Sequence, residues 1–253
     1  RSRGGQDEVN SALLAVLLAL PAAHAANAPA LPEMAVGHST PGWSKQGKSL
    51  VLYDAEGSLS FEIGLLREEN GPVTREVLGD ISPNGEAAWT LERKLTWNPQ
   101  RNKMLESRRV LKIHGSTGQV LWSDDSVDWP EKGDPVIFSN DAKMVLIACH
   151  FGESWGVEVR DWAGGSKLKS GGFPRLVSIA LAPGGRYAVA RWGVPDKSDT
   201  HSFFDLWTKA RKDIETSDLT LGLARIGDDG VVRSGRRDVF SFATSTTTGG
   251  ATK

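Results

Sequence analysis

The chain has 253 residues, 39% hydrophobic and 24% charged, with a formal net charge of -1. That length suits one sizeable domain, and the near-neutral balance argues against a nucleic-acid binder, whose footprint is a strongly basic face. A single cysteine, Cys149, excludes an intrachain disulfide and a cysteine-built metal cluster, while 28 Gly and nine Trp point to turns and broad sheet surfaces rather than helices.

Residues 1–28 read as an export signal. Arg1 and Arg3 supply a basic start, and SALLAVLLAL (11–20) is an apolar run too short to span a bilayer. Ala23 and Ala25, or Ala26 and Ala28, fit a small-residue cleavage pattern. Asp7 and Glu8 depart from the pattern, and the missing Met points to a truncated or misassigned start. With no Cys near the cleavage site for lipid attachment, the mature protein is expected to be periplasmic or secreted, with no stable membrane anchor.

A turn-like tetrad then recurs: SKQG (44–47), SPNG (82–85), SNDA (139–142), APGG (182–185) and GDDG (227–230). Ser or Ala opens a type I turn and Pro presets φ. Asn, Asp or Gly tolerates the third position, and a closing Gly accepts the left-handed conformation. Ala142 departs, since Ala disfavours positive φ, so a slightly different turn is expected there. The period is in the forties, with one insertion in the second unit.

The flanks repeat as well. Before the tetrads come VLGDI, PVIF, LVSIAL and LTLGLARI; after them KSLVLYD, EAAWTL, KMVLIAC and RYAVARW. A third run follows in LSFEIGLL, RVLKIH, GVEVRDW and SFFDLW, and a fourth in GQVLWS, SKLKS and KDIET. Four short strands per unit is the arithmetic of a propeller blade, with a meandering sandwich or barrel as the competitor. The last unit has strands near Leu219, Val231 and Val239, then a polar tail over 246–253. APALPEM (28–34) could supply its missing strand.

SPNGE, SNDAK, APGGR and SKQGK, with RDW (160–162) and DLW (205–207) as degenerate ends of third strands, resemble the WD-repeat-like and TolB-like β-propellers. The resemblance spans residues 34–242. VLKIHGSTGQVLWS (110–123) is similar to the repeat of pyrroloquinoline-quinone-type propellers, but it occurs once, so Thr117, Gly118 and Trp122 read as a hairpin with a packing Trp. The expected fold is all-β: a β-propeller of about five four-stranded blades over 29–245, either a five-bladed ring or part of a larger one. Such a resemblance implies architecture and leaves activity open.

Catalytic signatures are sparse. The five histidines show no metal-ligand spacing, although His150 and His201 could meet a carboxylate such as Glu153 or Asp205 in a propeller. Cys149 follows an apolar run and reads as a small core residue. Nucleophile-elbow, P-loop and dinucleotide patterns are absent, and no cofactor is expected. DDSVDWPEKGD (124–134) reads as a solvated loop between blades, with a weak calcium site as its alternative.

The second unit carries the distinctive insertion, ERKLTWNPQRNKMLESRR (92–109), with six Arg or Lys against two Glu. One reading is an extended hairpin pairing with the acidic loop. The other is a partner-binding protrusion of Trp97, Arg101, Lys103, Arg108 and Arg109, with Trp97 as anchor, because aromatic and Arg residues dominate interface hot spots. The expected function is that of a monomeric, non-catalytic binding module for a protein or carbohydrate. The alternatives are a propeller-fold hydrolase or lactonase with its site at the central channel, and a fragment of a longer reading frame.

Overall fold

The computed structural model describes residues 41–100, 102–194, 196–215, 224–234 and 236–245. The expected export signal, the expected 28–34 strand and the 246–253 tail lie outside the described residues. Strands β1 (Gly42–Gln46), β2 (Ser49–Tyr53) and β3 (Leu59–Gly64) form a first sheet. A second, five-stranded sheet holds β4 (Leu66–Asn70), β5 (Val73–Ile81), β6 (Ala88–Trp97), β7 (Met104–His114) and β8 (Val120–Asp124). The third comprises β9 (Val136–Phe138), β10 (Met144–Phe151), β11 (Ser154–Asp161) and β12 (Ser166–Phe173). The fourth has β13 (Arg175–Leu181), β14 (Tyr187–Gly193), β15 (Thr200–Asp205) and β16 (Arg211–Glu215). The fifth has β17 (Ala224–Ile226), β18 (Val231–Ser234) and β19 (Arg237–Ser241), followed by the short helix α1 (Phe242–Ser245).

Every sheet pairs consecutive strands antiparallel, and successive sheets share their apolar surfaces. Leu50, Leu52 and Trp43 meet Ala88 between the first and second sheets. Trp89, Leu91, Leu111 and Ile113 meet Val136, Val145 and Ile147 between the second and third. Leu146, Val157 and Phe173 meet Leu176, Ala190 and Phe204 next, and Tyr187, Val189 and Phe203 meet Ile226, Val232 and Phe242 last. Each fully buried side chain of this kind contributes about 2 kcal/mol. Meandering antiparallel units of three to five strands, stacked face to face in chain order, are the blades of a β-propeller, so the sandwich and barrel alternatives fall away. Among the described residues no apolar cluster joins the fifth sheet to the first.

SNDA, APGG and GDDG lie between the first and second strands of their sheets, and SPNG lies between β5 and β6, the equivalent pair in a sheet that β4 widens by one strand. In SPNG the Ser82 hydroxyl accepts from the Ala87 amide at 2.9 Å and donates to Asn84 at 2.8 Å. In SNDA the Ser139 hydroxyl repeats both bonds with Met144 and Asp141. Ala142 uses the same turn as its glycine counterparts, contrary to expectation. Its φ is +57°, and its amide bonds Ser139 O at 3.0 Å, as Gly85 bonds Ser82 O at 2.9 Å and Gly185 bonds Ala182 O at 2.8 Å. Burial of the Ala142 methyl in the second core offsets the strain.

The fifth tetrad, SKQG, is a correction. Ser44, Lys45 and Gln46 lie inside β1, which turns into β2 through Gly47 and Lys48. The turn that follows β2 is capped by Asp54, whose carboxylate accepts from the Glu56 and Ser58 amides at 3.0 and 2.8 Å. Asp161 and Asp205 cap the corresponding turns after β11 and β15, accepting from Gly165 at 2.7 Å and Trp207 at 2.9 Å. β1, β2 and β3 are therefore the second, third and fourth strands of their blade, and its first-strand position falls outside the described residues. LSFEIGLL also breaks, because the chain crosses at Leu65 from the first sheet to the second and Leu66 opens β4. The PQQ-like stretch is the expected hairpin: Gly118 closes the turn at φ +83°, and Trp122 packs against the core between the second and third sheets.

Candidate functional site

The insertion folds as an extension of the second blade. Pairing of β6 with β7 runs from Ala88↔His114 to Trp97↔Met104, with a bulge at its far end. The first half of β5 follows alongside, and β4 pairs it from Leu66↔Val77 to Asn70↔Val73. Residues directly opposite one another share a face. Arg67, Glu76, Arg93 and Arg109 therefore make one row across four strands, and Glu68, Arg75, Lys94 and Arg108 make the next, on the opposite face.

The first face is an ionic network. Glu76 is only 5% exposed, and its carboxylate accepts from Arg93 (Nε at 2.9 Å) and from Arg67 at 3.1 Å. Arg109 reaches Asp128 of the acidic loop at 2.7 Å. Asp128 also meets His150 Nε2 at 3.2 Å, and the His150 ring packs on Trp155 with centroids 4.1 Å apart. The pairing expected between the insertion and the acidic loop thus runs through Arg109. Replacing Glu76 with Ala leaves Arg93 half-buried without its anion. Because Arg67 is largely exposed, the expected loss is discounted to about 2 kcal/mol, read from a urea midpoint, with exposed Glu62→Ala as a near-neutral control.

The expected site residues separate. Trp97 is half-buried on the Arg93 and Arg109 face, and its amide donates to Pro72 O at 2.8 Å. Arg108 is exposed on the other face, 2.6 Å from Glu106. Arg101 lies outside the described residues. Lys103 is exposed in a loop ordered by Asn98, whose side-chain oxygen accepts from the Asn102 and Lys103 amides at 3.0 and 3.2 Å.

The other chemical candidates sit apart from one another. His114 is buried, 2.9 Å from the Thr90 hydroxyl, and burial holds its pKa below the usual histidine value. His201 stands opposite Arg191 on the fourth sheet. Burial first, then the Arg191 charge, push it down to about 4 against the pull of Asp199. Asp205 is taken by Arg186 at 2.7 Å, Glu153 is exposed, and the carboxylate beside His150 is Asp128. Cys149 is fully buried; burial, then the charges of Glu158 and Asp124, push its thiol up to about 12, which makes it an inert core residue.

Three of the acidic loop's five carboxylates are matched by cations. Asp124 pairs with Arg160, Asp128 with Arg109, and Glu131 with Arg175 at 3.3 Å. A recess of about 500 Å³ between the second and third sheets is lined by Glu86, Ser116, Asp141, Lys143 and Trp162. Sequence reasoning missed this recess and the buried Glu76. In TREV the alternation shows which residues share a face, and nothing local shows that Arg93 answers across 17 positions.

No family model and no curated protein matches the chain. Among solved structures it resembles the β-propeller domain of the Trilobed protease from Pyrococcus furiosus, at 11% identity and a TM-score of 0.40, over 56% of this chain and 42% of that one. It resembles the Pyrococcus horikoshii acylaminoacyl peptidase at 15% identity and a TM-score of 0.36, over 60% and 27%. A chain of the mitotic checkpoint complex gives 10% identity and a TM-score of 0.31, over 74% and 68%. The chain spans less than half the length of the first two. The propeller assignment rests on the sheet order and shared cores above.

Proposed function

We propose that the protein is an exported, non-catalytic β-propeller that acts as a binding module and contacts a protein or carbohydrate partner through the extension of its second blade. The observation that carries this reading is the extension itself: a paired sheet continued beyond one blade, ending in a loop held by Asn98 and flanked by Trp97 and Lys103. A loop already held in one conformation loses little entropy on binding. Arg101, Lys103 and Arg108 supply the cationic contacts and Trp97 the apolar one, while Arg109, tied to Asp128, fixes how the extension is carried.

The test is a photo-crosslinker placed at exposed Gln100, applied to periplasmic or secreted extract and, separately, to a glycan panel. A defined adduct is expected that is lost in Lys103→Glu and in Trp97→Ala while the melting temperature stays put. Adduct profiles identical in wild type and variants would refute the reading.

A further inference from the structure

The second sheet ends on two unlike edges. On one side β4 presents Glu68, Glu69 and Asn70 to solvent, a charged edge that discourages strand addition. On the other, β8 pairs with β7 only from Leu111 to His114. From Met104 through Val110 the outer edge of β7 has no strand beside it among the described residues. Three large apolar side chains stay in water there: Met104 is 46% exposed, Leu105 61% and Val110 37%. At the centre of the same stretch, the Ser107 hydroxyl is shielded from solvent without a hydrogen-bond partner among the described residues.

We infer that this edge is the docking surface for a second copy of the chain, joined antiparallel, β7 to β7, about a twofold axis at Ser107. The stretch MLESRRV selects that register. A twofold perpendicular to the sheet sets each face beside the same face of the partner, so the axis must fall on a residue rather than between two. Centred on Arg108 it stacks Arg108 on its own copy, and centred on Glu106 it stacks two carboxylates; like charges directly opposite are destabilising. Centred on Ser107 it sets Glu106 against Arg108 twice and the two Ser107 side chains against each other.

Leu105 is the extra residue of the bulge at the far end of β7, so the regular pairing about Ser107 is confined to 106–108. The contact is short, and a dimer of micromolar affinity or weaker is expected, on the order of the weakest specific interfaces. It differs from the monomer expected from the sequence, and it requires no partner held by the loop of the same extension.

Two measurements on the purified full chain, with nothing else present, test it. Ser107→Cys should give a disulfide-linked dimer on mild oxidation, because opposed residues of antiparallel strands lie about 4.5–5.5 Å apart at Cα, within disulfide range. Cys149 is buried and leaves the new thiol as the reactive one, and Asn102→Cys is the control expected to stay uncoupled. In sedimentation, Glu106→Arg and Arg108→Glu should each weaken dimerisation by about tenfold, equivalent to roughly 1.4 kcal/mol, and the double exchange should restore it. Should either single variant fail to fold, Arg108→Ala, a truncation at an exposed position that removes both cross-strand ion pairs and is expected to leave a folded protein that dimerises more weakly, takes its place. A wild type that stays monomeric at high concentration, a double exchange that fails to restore dimers, or growth into larger assemblies through the acidic β4 edge each overturns the proposal.

Discussion

Gly79→Ala is expected to destabilise the protein by about 3 kcal/mol, at the upper end of what overpacking costs. Gly79 lies in β5, where the first sheet closes on the second. A Cβ there would stand 2.5 Å from the carbonyl oxygen of Trp89 and 3.0 Å from Leu50 Cδ1, with Leu65 Cδ2 at 3.3 Å. Leu50 and Leu65 can rotate away; the Trp89 carbonyl is fixed in the β6 backbone. The methyl must therefore push β5 from β6 or prise the first sheet off the second. Gly64→Ala is the matched control, since nothing lies within 4 Å of the added methyl. A lower urea midpoint with an unchanged slope is the expected record, and equal midpoints for the two variants would remove the argument.

Acid should unfold the protein in two stages. His201 is neutral in both states at pH 7. As pH falls below 6.5 the unfolded chain takes a proton that the folded chain, with its value near 4, does not. Stability therefore falls through that window, by about 3 kcal/mol in total from a difference of roughly two to three pH units. His114, lowered in the same direction, adds to this stage.

Asp199 belongs to the second stage. Burial works against its charge, but hydrogen bonds and charge from Arg191 and Arg175, at 2.7 and 2.8 Å, outweigh burial and hold it below the ordinary carboxylate range. What it contributes is complete above that range and is lost as pH falls through its lowered value. His201→Gln should flatten the curve between pH 6.5 and 4 and leave the lower stage in place. An unchanged slope in that window would show that His201 is not the titrating group.

The turn chemistry made most of the fold legible. SPNG, SNDA, APGG and GDDG all sit where their Ser, Pro and Gly residues place them. SKQG misled because Gly47 does close a hairpin, only a different one, between the second and third strands of its blade. A four-letter pattern records the demand for a positive φ and says nothing about which pair of strands makes it. The extended hairpin was legible from its length and from Asn98-Pro99. The fourth strand, β4, was not, because LREEN carries no alternation that betrays a partner.

The candidate site was legible in composition and opaque in geometry. A run of basic residues does not show that Trp97 and Arg109 share one face while Arg108 takes the other. That division follows from pairing register, which a single strand's sequence leaves free.

Every apolar cluster in the described chain is built from two adjoining sheets, and none belongs to one sheet alone. The elementary unit of stability is therefore the seam between neighbours, and the described sheets behave as a short one-dimensional array with coupling between adjacent members. The third sheet lies between two seams, while among the described residues the fifth is held by one. Thermal opening should then start at an end and advance inward one seam at a time, so that the amides of β10 and β11 are among the last to exchange with solvent.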